Sequence, residues 1–271
     1  MMKGARWLLL PALLAGCASV GTQGAASAPA GARPVGVAPG TGQSLLQPGV
    51  APPQALHWTR TAAEHRAILL QSYKAAERNL RELTGNLPRD SWAVIMDADE
   101  TVLDNSLYFQ RQAELGLLDF GFNSWIDFVR QSIAPALPGA VRFTELIHEL
   151  GGRLVIVTNR AENLCPPTRV NLERAGIRAD AVLCRPPTGD DKNPRFQAVQ
   201  KGEVEGLPAL QVVMYVGDNI QDFPGVTQAS MRDAQDSAFS EIGRSWVILP
   251  NPLYGSWQRN PMPADPGGDN Q

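Results

Sequence analysis

Five short apolar runs, spaced by helix-like stretches, constrain this chain more than any other feature. They are Trp92–Asp97, Arg153–Thr158, Ala181–Leu183, Val212–Val216 and Ser245–Leu249. Between them, Ala140–Leu150 (closed by Gly151-Gly152), Val170–Ala175 and Phe196–Lys201 carry helical patterns. Runs that are apolar throughout, and do not alternate with polar residues, belong to strands buried on both faces. Joined by helices, such strands form a parallel sheet. The expected class is therefore α/β, a doubly wound, Rossmann-like parallel sheet. Upstream, Ala62, Leu69, Tyr73, Ala76, Leu80 and Leu83 make one apolar stripe, which predicts a single helix from Thr59 to Leu83.

In doubly wound sheets ligands sit beyond the carboxyl ends of the strands. Here those ends carry Asp97-Ala98-Asp99, then Thr158-Asn159-Arg160, then Asp191-Lys192, then Gly217-Asp218-Asn219-Ile220-Gln221-Asp222. Acids gathered at one sheet edge repel one another unless a cation joins them. An all-oxygen set with no His nearby calls for a hard ion, and Mg2+ is the expectation. These parts suit phosphoryl transfer. A metal and a Lys neutralise phosphate oxygens, a hydroxyl donates to another, one carboxylate attacks, and a second handles the proton. Asp218 and Asp222 are four apart, so one helical turn puts both on the same side.

DADET, TNR, the downstream Lys and GDNIQD together resemble the four-motif signature of the haloacid dehalogenase superfamily, over Trp92 to about Asp222. More narrowly, DETVLDNS, GDNIQDF and LPNPLYGSW resemble the class C bacterial acid phosphatases, the lipoprotein 5'-nucleotidases of the four-aspartate group. The resemblance implies Asp97 as nucleophile and metal ligand. It implies Asp99 as general acid and base, with its carbonyl on Mg2+. Thr158 and Asn159 would bind phosphate, Lys192 would steady the phosphorylated aspartate, Asp218 would bind metal, and Asp222 would do so directly or through water. The implied activity is hydrolysis of small phosphomonoesters, nucleoside monophosphates and nicotinamide mononucleotide among them. A broad acid phosphatase without base preference and a non-catalytic binding lipoprotein are the alternatives.

Between Leu103 and Pro138 the chain is too long for a simple turn and holds Tyr108, Phe109, Phe120, Phe122, Trp125 and Phe128. A small helical cap, about 104–138, is expected over the site. The phenylalanines are expected to form the cap's own core. For Trp125 and Tyr254, with Tyr108, the resemblance suggests substrate contact, as an aromatic clamp around a base. Glu100 and Asp104 are expected to shape the loop, and the three histidines to be surface or packing residues. Arg160 and Arg195 fit either phosphate contact or surface pairing.

The N-terminus reads as a basic start (MMKGAR), a short apolar stretch (WLLLPALLA) and Leu14-Ala15-Gly16-Cys17. The last four resemble a bacterial lipobox, which implies cleavage before Cys17, a lipid on its thiol and a membrane anchor, with Ala18 favouring the outer membrane. A Gly, Ala and Pro-rich tether is expected over 18–56, a phosphatase domain over 57–260 and a flexible tail over 261–271. A net charge of −3 offers no basic surface for a nucleic-acid polymer. Cys165 and Cys184 fit no zinc spacing, and either a disulfide or two free thiols is compatible with the sequence.

Overall fold

The computed structural model describes residues 53–117 and 120–263. Cys17, the signal stretch, the tether before Pro53 and the tail after residue 263 lie outside the described residues. Strands β1 (Trp92–Met96), β2 (Arg153–Ala161), β3 (Ala181–Arg185), β4 (Gln211–Gly217) and β5 (Trp246–Ile248) form one sheet in the order β3-β2-β1-β4-β5. All four pairings are parallel. The chain winds outward from β1 to β3, then crosses back to lay β4 on the other side of β1. The switch point therefore falls between the carboxyl ends of β1 and β4, where a ligand crevice opens.

Strand side chains divide between two cores. Trp92, Val94 and Met96 pack with Leu69 and Tyr73 of α2 (Ala63–Thr84) and with Phe143 and Ile147 of α5 (Ala140–Glu149). Ala93 and Ile95 face the other way, onto Phe196 and Val199 of α7 (Asn193–Lys201). With helices on both faces, β1 is buried at every position, which is why its sequence is apolar throughout.

The expected Thr59–Leu83 helix is two helices, α1 (Gln54–Thr61) and α2, with Ala62 extended between them. Helix α1 thus begins inside the last residues expected of the tether. A contact distant in sequence accompanies the break. Arg60 on α1 donates to Ser106 Oγ at 2.8 Å, at the start of α3 (Ser106–Glu114) in the cap. Trp58 and His65 pack across the bend, with ring centroids 5.0 Å apart. An apolar stripe does not register one extended residue, so periodicity alone reads through it. The rest of the cap is α4 (Phe122–Gln131), and α6 (Cys165–Arg174) follows β2. A disulfide joins Cys165, at the start of α6, to Cys184 in β3.

Asp180, just before β3, ties the amino-terminal edge of the sheet together. It accepts from the Leu154 amide at 2.8 Å, His148 Nε2 at 2.9 Å and Arg153 Nη1 at 3.0 Å. Burial by itself raises this carboxyl. The hydrogen bonds from His148, the Leu154 amide and Arg153 outweigh it and draw the group down to about 2. Its folded value lies below the ordinary 3.8. The stability it contributes is therefore full above that ordinary value and is lost as pH falls through about 2. Asp180→Asn is expected to lower the unfolding free energy by about 1–2 kcal/mol at neutral pH, once solvent screening of the partly exposed carboxylate is allowed for. Denaturant unfolding of both proteins across acid pH checks this. The deficit should narrow as pH drops, and a deficit independent of pH would refute the linkage.

Candidate active site

Asp97 follows the last residue of β1, and its amide donates to Val216 O of β4 at 2.9 Å, so the ladder itself sets where its carboxylate points. Across the switch point, Gly217 ends β4 and Asp218 follows it. A short 3-10 turn, Ile220–Asp222, then brings Asp222 back beneath Gly217. A Cβ on Gly217 would lie 2.2 Å from Asp222 Oδ2, so only glycine admits the carboxylate there. Asn219 caps the turn. Its amide donates to Asp222 Oδ2 at 2.9 Å, and its Oδ1 accepts from the Gln221 amide. Asp97, Asp218 and Asp222 each offer a carboxylate oxygen, all within 4.8 Å of one another.

Lys192 sits among these acids and is buried. Its Nζ donates at 2.6 Å to Asp97 Oδ1 and at 2.6 Å to Asp222 Oδ1. Burial works against the ammonium, yet the charges of Asp222 and Asp97 more than offset it and hold the group above the usual lysine range. Burial, against the pull of Lys192 and with the charges of Asp222 and Asp99, lifts Asp97 to about 7. Asp218 is raised as well, by burial and by the nearby charges of Asp222 and Asp97. One ammonium does not balance three carboxylates held this close together. A divalent cation bound by their oxygens would, and the purely oxygen donor set suits a hard ion.

Asp99 faces the same cleft. Arg160, whose side chain is 1% exposed, grips it through Nη2 at 2.7 Å and Nε at 2.9 Å on Oδ1. Asn105 Nδ2 adds a bond at 2.8 Å to the same oxygen. Among the described residues Oδ2 receives only a longer bond, 3.2 Å from Arg160 Nε. Thr158 to Arg160 lie where β2 shifts register against β3 between Val157 and Ala161. The irregularity leaves Asn159 exposed while its neighbours on either side are buried. Thr158 Oγ1 accepts from the Arg160 amide at 3.1 Å.

The cleft, about 670 Å3, is lined by Asp97, Asp99, Asn159, Lys192, Asp218 and Asp222, with Tyr254 on its wall. Tyr254 stacks on Phe109, centroids 5.3 Å apart, and donates its hydroxyl to Glu100 Oε2. Tyr108 and Trp125 are placed differently from Tyr254. Tyr108 is buried in the cap, where its hydroxyl meets Gly121 and Ser124. Trp125, 8% exposed, packs against Tyr108 and Phe128 and presents its face to Arg160, 5.6 Å from the guanidinium. Neither lines the cleft, because the cap consumes them as its own core and as the seat for Arg160. Phe120 and Phe122, expected inside the cap, are exposed on its surface. Asp104 accepts from the Ser106 amide, holding the first turn of α3.

The sequence names Arg160, Arg195 and Glu100 without settling their surroundings, and the structure does so. Arg160 and Arg195 are buried, and nothing local marks an arginine as buried. Glu100 adopts a left-handed φ of 49° and accepts from the Asn105 amide at 2.9 Å. Burial and the Asp99 charge lift its carboxyl to about 8, against the pull of hydrogen bonds from Tyr254 and Asn105. Asn251 Nδ2 holds Asp218 Oδ2 at 2.8 Å, and Ser256 holds Asn219 at 2.7 Å. The segment after β5 thus straps the acidic corner of the site. The motif LPNPLYGSW holds the residues responsible, and its Asn and Ser were the available signal.

A covered parallel sheet with four aspartates and a buried Lys at its switch point has the parts of a phosphoric monoester hydrolase. The chain belongs to the HAD superfamily, subfamily IIIB (acid phosphatase), whose family model matches residues 46–257. The class C acid phosphatase of Bacillus anthracis is similar in structure. The TM-score is 0.67 at 29% identity, over 75% of this chain and 85% of that one. A second structure of that enzyme, with tungstate bound, is similar at TM-score 0.66 and 28% identity. In sequence, acid phosphatase 1 of Solanum lycopersicum is 27% identical over 63% of this chain and 60% of its own length. The stem 28 kDa glycoprotein of Glycine max is 23% identical over 73% of this chain and 71% of its own. Enzymes of this superfamily generally use a divalent metal, and the acidic cluster fits one.

Gly217→Ala is expected to push Asp222 out of the cluster and weaken divalent-metal binding about tenfold or more, with hydrolysis falling in step. Calorimetric titration with the metal checks it. Unchanged affinity would show that Asp222 is not needed in that place.

Proposed function

We propose that this protein is a Mg2+-dependent acid phosphatase acting on nucleoside monophosphates, nicotinamide mononucleotide included, through a phosphorylated Asp97. The carrying observation is Asp97 at the end of β1, with Lys192 on its Oδ1 and Asp218 and Asp222 beside it. Mg2+ held by Asp97, Asp218, Asp222 and the Asp99 carbonyl would neutralise charge on the phosphate oxygens. Asn159, which lines the cleft, would bind the phosphate, whereas Thr158, expected to share that role, is fully buried and does not line the cleft among the described residues. An Asp97 oxygen attacks phosphorus, the bond to the ester oxygen breaks, and that oxygen takes a proton from Asp99. Water then attacks the same phosphorus and gives a proton to Asp99. The bond to Asp97 breaks, and the carboxylate and inorganic phosphate are released. The freer Asp99 oxygen, Oδ2, is the atom suited to carry that proton, since Arg160 and Asn105 crowd Oδ1. The tungstate bound to the Bacillus anthracis enzyme supports an oxyanion site in an enzyme of this fold.

Phosphate release is expected to stop in Asp97→Asn and in chelator, and to return on adding Mg2+. Activity surviving Asp97→Asn would remove the covalent step.

Tyr254, stacked on Phe109 at the cleft wall, is the aromatic surface available to a nucleobase. The interior position of Trp125 favours a second reading, an acid phosphatase with no base preference. Tyr254→Ala separates the two. The nucleotide reading expects KM for a nucleoside monophosphate to rise about tenfold while KM for glycerol phosphate stays within about twofold. Equal changes for both would favour the second reading. For location, the lipobox-like Leu14-Ala15-Gly16-Cys17 supports a lipid anchor on Cys17 in the outer membrane. Cys17→Ser releasing the protein from the membrane fraction would test that.

A further inference from the structure

Arg195 is the best-connected side chain near the cleft that the hydrolysis scheme leaves without a part. It lies in the first turns of α7, three residues after Lys192, and is buried. Its Nη1 donates to the Thr158 carbonyl at 2.6 Å, and its Nη2 donates to Asn159 Oδ1 at 2.7 Å. Nη2 also reaches the carbonyls of Asp190 and Asp191, each at 3.3 Å. One guanidinium therefore fastens the bulged end of β2 to the loop that delivers Lys192.

The bond to Asn159 has a chemical consequence. A guanidinium has donors and no acceptor, so the amide facing it must present its oxygen. That assignment leaves Nδ2, with two N–H groups, on the other side of the amide. Asn159 is exposed and lines the cleft beside Lys192 and Asp97, and Nδ2 has no protein acceptor among the described residues. We propose that Arg195 is a positioning residue for phosphate binding: it locks the Asn159 amide with its oxygen inward, so that the NH2 group faces the phosphate oxygens. An unlocked amide would rotate and offer its oxygen to the anion in part of the population, which repels it. Lysine cannot replace the arrangement, because its three donors radiate from one nitrogen and do not span the Thr158 and Asn159 oxygens in a plane.

The inference rests on the reading of Asn159 as a phosphate ligand, and the experiment separates the two. KM for a phosphomonoester and the competitive Ki of inorganic phosphate are measured for Asn159→Ala, Arg195→Lys, Arg195→Gln, Asn159→Asp and the double variant Arg195→Lys/Asn159→Ala. Both constants are independent of the fraction of active molecules, so partial misfolding does not mask them. Arg195→Lys and Asn159→Ala are each expected to raise both constants about tenfold, with kcat changed less. The double variant should be no worse than Asn159→Ala alone, since both changes remove one interaction. Asn159→Asp, which keeps the inward oxygen but replaces the outward donor with a second oxygen, should bind phosphate more weakly than Asn159→Ala.

If Asn159→Ala leaves Ki unchanged, the phosphate-ligand reading fails and the inference with it. If Asn159→Ala raises Ki but neither Arg195 variant does, or if the losses add in the double variant, Arg195 has only a structural role. Phosphate binding in Asn159→Asp equal to wild type would overturn the inward orientation of the oxygen without any change at Arg195.

Discussion

The ammonium of Lys192, shared between Asp97 and Asp222 at 2.6 Å each, is the interaction on which the rest of the site depends. Carboxylates from the ends of β1 and β4 are brought to one point, and each raises the cost of ionising the next. Lys192 reaches that point from the loop before α7, so three separate parts of the chain must be in place together. The sheet supplies the first two through the parallel ladder, and the glycine at the end of β4 lets the third carboxylate in against the backbone. A divalent metal held by the three carboxylates would complete the balance of charge that one lysine begins.

Around this centre the protein uses N–H donors from distant segments to fix the oxygens of the site. Arg160 fixes Asp99, Arg195 fixes the Thr158 carbonyl and the Asn159 amide, and Asn251 fixes Asp218. Each donor comes from a different element from its acceptor. The segment after β5 and the base of the cap also meet there, through Tyr254 and Glu100. The carboxyl of Glu100 is raised, and its backbone is held left-handed, so this junction carries local cost that the surrounding packing must offset. The disulfide between Cys165 and Cys184 ties α6 to the edge strand, not far along the chain from the bulge that presents Asn159.

How much could be read in advance differs from residue to residue. The strands were legible because burial on both faces leaves no polar position, and observed ends differ from expected ones by a few residues at most. Asp97, Asp99, Lys192, Asp218 and Asp222 were legible because strand ends in a doubly wound sheet are where function collects, and all five line one cleft. The roles of Arg160 and Arg195 were not legible. Long cations are usually at the surface, and only the fold reveals which ones are enclosed. Trp125 shows the same limit from the other side: an aromatic in a cap suits a ligand or a core equally well, and here Arg160 and Phe128 occupy its faces. The break at Ala62 was invisible because the stripe of α2 continues in phase while the contact near it, Arg60 with Ser106, spans 46 residues.

By itself the sequence determined the class of fold, the order of the strands' cargo and which acids gather at the strand ends, since these follow from local patterns: apolar runs, turn residues and acids at strand ends. Tertiary structure alone decided which oxygen of Asp99 is less engaged, that the Asn159 oxygen meets Arg195, which aromatic lines the cleft and whether the two cysteines meet. Those choices depend on donors and rings brought in from distant segments, and a hydrogen bond between residues far apart in sequence leaves no periodic trace along the chain.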